Sequence, residues 1–243
     1  QNKGIILFLD TPGGSVFASD ELYFKIKDYQ EKTKRPVYAS MQSMCASGGY
    51  YISAPCDKIV ANRNCWTGSI GVTLGTMFDV SELLDSLGVK TVTITAGENK
   101  AMGSSYEPMT KEQKEILQAV VDEAYEQFVG IVAEGRDMPV KDVKKLADGR
   151  IITAYQAADY GLVDEIGTFD ECVAMMIKDY KLDEEIAVED LYPKESLDIM
   201  SMLGIVSELG NSESKTAISR STIEELAELN GKVEISYISN ISK

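Results

Sequence analysis

The chain has 243 residues, of which 44% are hydrophobic and 26% charged. This composition is typical of globular domains and excludes a disordered, collagen-like or disulfide-rich chain. The 24 basic and 39 acidic residues give a formal charge of −15, and a field of that sign repels phosphate backbones, so nucleic acid is not expected as a partner. There is no histidine, so no Ser-His-Asp triad, Cys-His pair or histidine-ligated metal can be built, and any nucleophile needs a lysine, a carboxylate or an amino terminus as its base.

The hydrophobic pattern alternates between short apolar runs, typical of buried strands, and longer amphipathic stretches, typical of helices. Strands are predicted, in chain order, at 4–10, Val37–Met41, Lys58–Asn62, after the Thr67–Gly71 turn, at Thr91–Thr95 and at Val233–Ile238. Helices are predicted from about Ser19 to Arg35, over Gly48–Ala54 and Ser81–Leu87, from Thr110 to about Glu134, and over Val140–Leu146, Ala154–Tyr160, Cys172–Tyr180 and Ile223–Leu229. Strands alternating with helices at short spacing predict an α/β fold with a parallel sheet and crossover helices.

The cysteines and the start of the chain give two further expectations. Cys45, Cys56, Cys65 and Cys172 form no CxxC pair, so a zinc site is not expected. Buried free thiols are favoured, with a Cys56–Cys65 disulfide as the alternative. No apolar run approaches the ~20 residues that span a bilayer. Because the chain lacks an initiating Met and opens just before a buried-strand pattern, we expect a fragment whose upstream part can include a membrane anchor.

Small-residue turns follow three of the predicted strands. They are Pro12-Gly13-Gly14, Ala46-Ser47-Gly48-Gly49 and Thr67-Gly68-Ser69. In an open parallel sheet, such turns line the edge where ligands bind. Glycines there let a substrate backbone approach and leave N–H groups free to point at an oxyanion.

Ser47 and Lys100 are the candidate reactive pair. Ser47 would begin the helix over Gly48–Ala54, where the helix dipole favours an alkoxide, but a plain N-cap role fits serine as well. A lysine can act as a base only when its amine is neutral. Its ordinary pKa of ~10.4 must therefore fall by ~3 units, which corresponds to about 4 kcal/mol of differential solvation. The acidic charge of the chain opposes that fall, so the site must be dry. Lys100 lies in a loop of small and apolar residues. Considered alone, it is more typical of a surface lysine than of a base.

Four motifs in order resemble bacterial signal peptide peptidase A, a family of membrane-bound Ser-Lys peptidases with a crotonase/caseinolytic-protease-like fold. The motifs are Leu9-Asp10-Thr11-Pro12-Gly13-Gly14, Ala46-Ser47-Gly48-Gly49-Tyr50-Tyr51, Thr67-Gly68-Ser69-Ile70-Gly71-Val72, and Lys100 with Met102-Gly103-Ser104. Ala147–Arg150 and Gly161–Asp164 also fit the family. The resemblance covers about residues 4–180 closely and the rest more loosely.

The resemblance implies a role for each matching residue. Ser47 matches the nucleophile and Lys100 the general base, at a separation of 100 − 47 = 53 residues. Ser69 matches a serine that orients the lysine amine. Gly48 and Gly14 match the oxyanion donors. The family needs no metal and no organic cofactor.

Two details are left open beside these roles. Gly13 is the alternative to Gly14 as an oxyanion donor. Met41, Met44 and Tyr50 lie close to Ser47 in the sequence, where they either shape an apolar substrate pocket or pack in the core.

The implied architecture is a βαβ spiral core with a long helix and a smaller C-terminal α/β tail, without the N-terminal edge element that precedes Gln1 in this family. Residues 1–180 would form the Ser-Lys peptidase catalytic domain. Residues 181–243 would form a C-terminal extension, partly flexible at 211–221, where the sequence is polar and serine-rich.

The implied function is that of a serine endopeptidase that degrades cleaved signal peptides and other unfolded apolar peptides. The family implies a homo-oligomeric ring, of which an octamer is one size, and an N-terminal membrane segment with the catalytic domain on the extracytoplasmic side of the bacterial cell membrane. One alternative is a crotonase-type acyl-CoA hydratase or isomerase, which normally uses paired carboxylates at the turns. The other is a non-catalytic peptide-binding ring scaffold.

Overall fold

The computed structural model describes residues 2–191 and 233–239, the latter as backbone alone. The described strands are β1 (Asn2–Thr11), β2 (Val37–Ala46), β3 (Lys58–Ala61), β4 (Trp66–Gly68), β5 (Ile151–Thr153), β6 (Glu165–Ile166), β7 (Ala187–Leu191) and β8 (Val233–Ser239). The described helices are α1 (Val16–Thr33), α2 (Gly48–Ser53), α3 (Ser81–Ser86), α4 (Lys111–Gly135), α5 (Val140–Leu146), α6 (Ala154–Asp159) and α7 (Phe169–Asp179). The expected α/β class, with parallel strands, crossover helices and one long helix, is confirmed.

Strand β2 organises the sheet because it has more than two partners. It runs parallel to β1, with Leu9 opposite Met41, and α1 forms the crossover between them. On its other side, the first half of β2 pairs in parallel with β3 and the second half pairs in parallel with β4. The C-terminal ends of β2 and β4 therefore lie side by side.

The outer strands are mostly antiparallel. The strand order is β5-β4-β2-β1-β8-β7, with β3 pairing to β2 and β6. β4 pairs with β5, and β8 lies between β1 and β7, all in antiparallel register. The division of the chain at residue 180 stays a prediction.

Both faces of the central strands are covered, which explains the unbroken apolar run of β1. Alternate side chains of a strand point to opposite faces. Leu7 and Leu9 belong to a large core shared with α1, α2 and α4. Ile6 belongs to a smaller core with Met176 of α7. The segment is thus a strand buried on both sides, as its composition predicts.

Helix boundaries follow the capping residues. The Ser15 side chain accepts a hydrogen bond from the Ala18 N–H and begins α1 at Val16, three residues before the predicted start. The capping box predicted for α4 is present, since Thr110 and Gln113 each bond the other's backbone N–H. Helix periodicity locates the apolar face of a helix better than its first turn.

Two predicted strands are wrong. Neither the residues that follow the Thr67–Gly71 turn nor Thr91–Thr95 form a described strand. Val92 and Ile94 are 84% and 93% exposed. β-branched residues favour a strand only where a neighbouring strand and a packed face are present, and here the described part of the chain offers neither. The predicted loop at 211–221 and helix at 223–229 lie outside the described residues.

Residues 72–109, which we call the connecting segment, carry large apolar side chains on their surface. Those with the largest exposure are Phe78, Leu83, Leu87, Val92 and Ile94. Apolar residues scattered singly over a surface are ordinary, but a continuous stretch of them marks an interaction site.

All four cysteines are buried free thiols, so the Cys56–Cys65 disulfide is wrong. Burial raises the pKa of each thiol, that of Cys65 to about 12. Protonated thiols in apolar surroundings act as small hydrophobic side chains, and none of them is poised as a nucleophile.

Candidate active site

The three small-residue turns meet at one edge of the sheet, as expected from the sequence. Ala46 lies opposite Gly68 at the ends of β2 and β4. The Ser47 N–H donates to the Gly68 carbonyl at 2.9 Å, which joins the second turn to the third. The first turn lies against the second, because a Cβ built on Gly13 would come within 2.8 Å of the Ser47 Cβ. A side chain at Gly13 would therefore push the turns apart.

Ser47 is held in a backbone conformation that residues with a side chain rarely adopt. Its φ is 52° and its ψ is −117°, a region that favours glycine and costs other residues on the order of 1–3 kcal/mol. It stands at a sharp turn from strand to helix, and its carbonyl accepts the Tyr51 N–H to begin α2. The Ser47 side chain makes no capping hydrogen bond, so the plain N-cap interpretation is wrong.

Two backbone N–H groups beside Ser47 are free. Among the residues that the structure describes, neither the Gly14 nor the Gly48 N–H donates a hydrogen bond. The Gly13 N–H, by contrast, donates to Thr11 Oγ1 at 3.2 Å. A Cβ on Gly48 would lie 2.9 Å from the Gly14 nitrogen, so the two free amides are neighbours. Paired N–H groups next to a serine are the arrangement that stabilises an oxyanion.

A cavity of about 160 Å³ opens beside these groups, and we call it the apolar cavity. Its lining includes Gly14, Ser47 and Gly48. The other lining residues are Ser15, Val16, Ser19, Tyr51, Gly71, Val72, Thr73, Ala124 and Phe128. None of these side chains carries a charge.

A second space of about 420 Å³, the polar cleft, opens on the other side of Gly71–Thr73. Ser47 and Ser69 both line it, together with Tyr125 and Asp148. Ser47 therefore lies where the two spaces meet, and Ser69 faces the same cleft as Ser47.

The Ala147–Arg150 motif holds the Ser69 turn in place. The Ser69 N–H donates to the Arg150 carbonyl at 2.7 Å, and the Gly149 N–H donates to the Ile70 carbonyl at 3.1 Å. Arg150 also bonds the Asp148 carboxylate through its side chain and backbone N–H, which lowers the pKa of Asp148 to about 2. These contacts are structural and shape one wall of the polar cleft.

The Gly161–Asp164 motif acts away from Ser47. The Arg136 side chain is 8% exposed and pairs with Asp164 at 2.5 Å, and it also donates to the Gly161 carbonyl at 3.1 Å. Tyr50 donates its hydroxyl proton to the Leu162 carbonyl at 2.8 Å. The motif thus joins Tyr50 of α2 to Arg136, which follows α4.

The pocket residues suggested by sequence proximity are not the ones observed. Tyr50 and Met41 are fully buried in the core, and Met44 lines neither space. Tyr51 and two residues of α4, Ala124 and Phe128, line the apolar cavity instead. Ala124 and Phe128 are four residues apart on the apolar face of the long helix. The sequence predicts this face, but it does not predict which turn the face packs against.

Lys100 lies apart from both spaces. It is exposed, in a run of turns within the connecting segment, and its N–H donates to the Gly97 carbonyl at 3.1 Å. It is not among the residues that line the apolar cavity or the polar cleft. Within a single described chain, the structure brings Ser47, Ser69, Gly14 and Gly48 together and leaves Lys100 outside that group.

The one carboxylate that lines the two spaces, and the tyrosine of the apolar cavity, are poor bases. Asp148 is paired with Arg150, which lowers its carboxyl pKa to about 2 and leaves it little affinity for a proton. Burial raises the pKa of the Tyr51 hydroxyl, which bonds Asp20 and Gln127. Neither Asp148 nor Tyr51 is therefore a candidate base for Ser47.

A model of a family described as Peptidase family S49 matches residues 29–183. A protein of Methanocaldococcus jannaschii, provisionally named a protease, is 42% identical over 171 residues, 70% of this chain and 54% of its own. A protein of Enterococcus faecium, provisionally named signal peptide peptidase SppA, is 39% identical over 77% of this chain and 54% of its own. A solved structure of a ClpP1 mutant from Listeria monocytogenes aligns with a TM-score of 0.46 and 20% identity, over 70% of this chain and 77% of that chain.

The chain spans about half the length of these two sequence relatives. Among the described residues, no helix has the length and apolar character needed to cross a bilayer.

Proposed function

The chain belongs to peptidase family S49, and on that premise we propose that it is a serine endopeptidase in which Ser47 is the nucleophile and Lys100 the general base. The observation that carries the proposal is the strained, uncapped Ser47 beside the free N–H groups of Gly14 and Gly48. Backbone strain of this kind clusters at active sites and ligand-binding sites, and the Ser47 side chain makes no capping hydrogen bond that would explain its position.

The proposed reaction has two halves. Neutral Lys100 takes the hydroxyl proton while Ser47 Oγ bonds to the peptide carbonyl carbon, and the Gly14 and Gly48 N–H groups hold the resulting oxyanion. The C–N bond then breaks, the leaving amine receives the proton from the Lys100 ammonium, and an ester remains on Ser47. Water attacks that ester, gives a proton to Lys100, and releases the acid as Oγ recovers its proton.

The choice of oxyanion donors has structural support. Gly13 has its N–H engaged by Thr11 Oγ1, so Gly14 is the better of the two candidates in the first turn. Removing one such donor in a serine protease costs on the order of 10²–10³ in kcat.

Lys100 is proposed as the base because the family motif assigns it, and because Arg150 holds the one carboxylate that lines the two spaces, Asp148, in its ionised form. For this role the connecting segment must bring the amine to Ser69 and Ser47 and exclude water from it. The segment's exposed apolar side chains, among them Phe78 and Ile94, are the surface that would cover the amine on assembly or on substrate binding. A homo-oligomeric ring, as in the family, would supply such cover.

The remaining features are proposed by family likeness. The substrates would be cleaved signal peptides and other unfolded apolar peptides. The catalytic domain would lie on the extracytoplasmic side of a bacterial membrane.

The test is cleavage of a fluorogenic apolar peptide by the chain and its variants. Ser47→Ala and Lys100→Ala should each abolish cleavage and leave the circular dichroism spectrum unchanged. Lys90→Ala, at a lysine in the same segment, is the matched control and should retain activity. Full activity of Lys100→Ala would refute the base assignment, and thioester turnover without peptide cleavage would favour a crotonase-type enzyme.

Two added measurements sharpen the result. A serine-directed fluorophosphonate probe should label wild type at Ser47 and leave Ser47→Ala unlabelled, whereas an inert wild type would indicate a non-catalytic scaffold. Mixing the two inactive variants shows whether the dyad forms within one chain or between chains, because only the second arrangement restores activity.

A further inference from the structure

We infer that Thr67 is a positioning residue, whose buried hydroxyl fixes the separation between Ser47 and Ser69. The inference rests on the proposed function, since it takes Ser47 as the nucleophile and Ser69 as the serine that orients the amine of the base. Thr67 lines neither the apolar cavity nor the polar cleft. It would therefore act only through the two turns that follow β2 and β4.

A side-chain hydrogen bond joins the two strands just before these turns. Thr67 is fully buried, and its hydroxyl donates to the Cys45 carbonyl at 2.6 Å. The two residues lie opposite each other in the parallel pairing of β2 and β4. Cys45 comes two residues before Ser47, and Thr67 comes two residues before Ser69. The bond thus ties the strands together at the same distance in sequence from each serine.

A backbone hydrogen bond runs in the opposite direction between the same strand ends. The Ser47 N–H donates from the end of β2 to the Gly68 carbonyl of β4 at 2.9 Å, whereas the Thr67 hydroxyl donates from β4 to β2. Strand β4 is only three residues long, so few backbone hydrogen bonds can join it to its neighbour. The Thr67 hydroxyl is therefore a large part of what holds the end of β4 against β2.

Both serines have strained backbones that the surrounding structure must hold. The angle φ is 52° at Ser47 and 50° at Ser69, in the left-handed region that favours glycine. Such conformations persist only when their surroundings over-determine them. Loss of the Thr67 hydrogen bond would remove one of these restraints, so each turn could relax and the distance between the two serine hydroxyls would change.

The chemistry of the Thr67 side chain separates this role from ordinary packing. Valine has the same branched shape as threonine and is favoured in buried strands, whereas a buried hydroxyl is costly unless it is hydrogen-bonded. A satisfied buried hydrogen bond holds its neighbours rigidly, which valine cannot do. A displacement of about 1 Å at a reacting group can reduce the rate by about 10²-fold, so this rigidity bears directly on catalysis.

The experiment measures kcat and KM separately for the fluorogenic apolar peptide. Thr67→Val removes the hydroxyl and keeps the shape, so kcat should fall by about 10–100-fold while KM stays within about 3-fold of wild type. Thr67→Ser keeps the hydroxyl, and its kcat should stay within about 3-fold of wild type. Tyr50→Phe is the matched control, because it removes another buried hydroxyl, which donates to the Leu162 carbonyl at 2.8 Å. It should lower Tm about as much as Thr67→Val and leave kcat within about 3-fold.

A crystal structure of the Thr67→Val variant, compared with one of the wild-type chain, tests the geometry without reference to activity. The distance between Ser47 Oγ and Ser69 Oγ should differ between the two by about 1 Å. An unchanged distance would refute the inference.

The kinetic outcomes separate this inference from the proposed function. If Thr67→Val keeps the wild-type kcat, or if Thr67→Ser or Tyr50→Phe loses as much as Thr67→Val, the inference is wrong while Ser47 chemistry stands. If wild type does not cleave the peptide, or if cleavage survives Ser47→Ala, the proposed function is wrong and the inference falls with it. Thr67→Ala also lacks the hydroxyl and should show the same loss of kcat, so it replaces Thr67→Val if that variant fails to fold.

Discussion

Gly135 is the place where the structure makes its sharpest stability prediction. It is the last residue of α4 and lies against the end of α2, so a Cβ added there would stand 2.0 Å from the Ala54 carbonyl oxygen and 2.6 Å from its carbon. Side-chain carbons essentially never come closer than 3.0 Å to such atoms, and both are backbone. One helix end would have to move by about 1 Å, since no side chain can rotate away.

The matched control is Gly130, which lies in the same helix with open space where its Cβ would be. Alanine within a helix is more favourable than glycine by about 1 kcal/mol, so Gly130→Ala should raise Tm by about 2–4 °C for a domain of this size. Overpacking typically costs about 1–3 kcal/mol and occasionally more, so Gly135→Ala should lower Tm by several degrees. The same glycine-to-alanine change is thus expected to raise Tm at Gly130 and to lower it at Gly135.

The assay is thermal unfolding followed by circular dichroism, with urea unfolding as a second probe. A Gly135→Ala variant as stable as Gly130→Ala would refute the close approach of α4 to α2. Since Ser47 directly precedes α2, we also expect Gly135→Ala to reduce labelling of Ser47 by a fluorophosphonate, whereas Gly130→Ala should not.

Two further predictions concern a helix end and an ion pair. Lys34 closes α1 in the left-handed conformation, with φ at 56°, so Lys34→Gly should raise the free energy of unfolding by about 1 kcal/mol in urea titrations, and an unchanged midpoint would argue against that conformation. The Asp148 carboxyl pKa is lowered from 3.8 to about 2 by hydrogen bonds from Arg150. A carboxyl group whose pKa is lower in the folded state stabilises the fold at pH values above its unfolded-state pKa. This stabilisation is lost as the pH falls through the folded-state pKa. Asp148→Asn should therefore flatten the loss of thermal stability between about pH 4 and pH 2, and a profile that matches wild type would contradict the pair's contribution.

The sequence predicts the parts of this fold that are governed by local patterns. The apolar run of β1, the small-residue turn at Ser47 and the capping box at Thr110 each appear where expected. Each depends on neighbours within a few residues, so the composition of a short window is enough to identify it.

The parts that depend on distant contacts are beyond the reach of such patterns. Thr91–Thr95 has the residues of a strand but lacks a described partner strand, and no local signal shows whether a partner exists. The sequence predicts Phe128 only as an apolar position of an amphipathic helix. It lines the apolar cavity because α4 packs over α2. The strained φ of Ser47 is likewise invisible, because serine is compatible with both a cap and a nucleophile.

The left-handed backbone at position 47 has a consequence for protein engineering. A glycine there would relax the chain, so a library screened only for heat resistance would be drawn towards discarding the hydroxyl. Thermal stability favours glycine at this position, whereas the proposed reaction requires serine. Mutagenesis aimed at raising thermal stability should therefore keep Ser47 and change other positions.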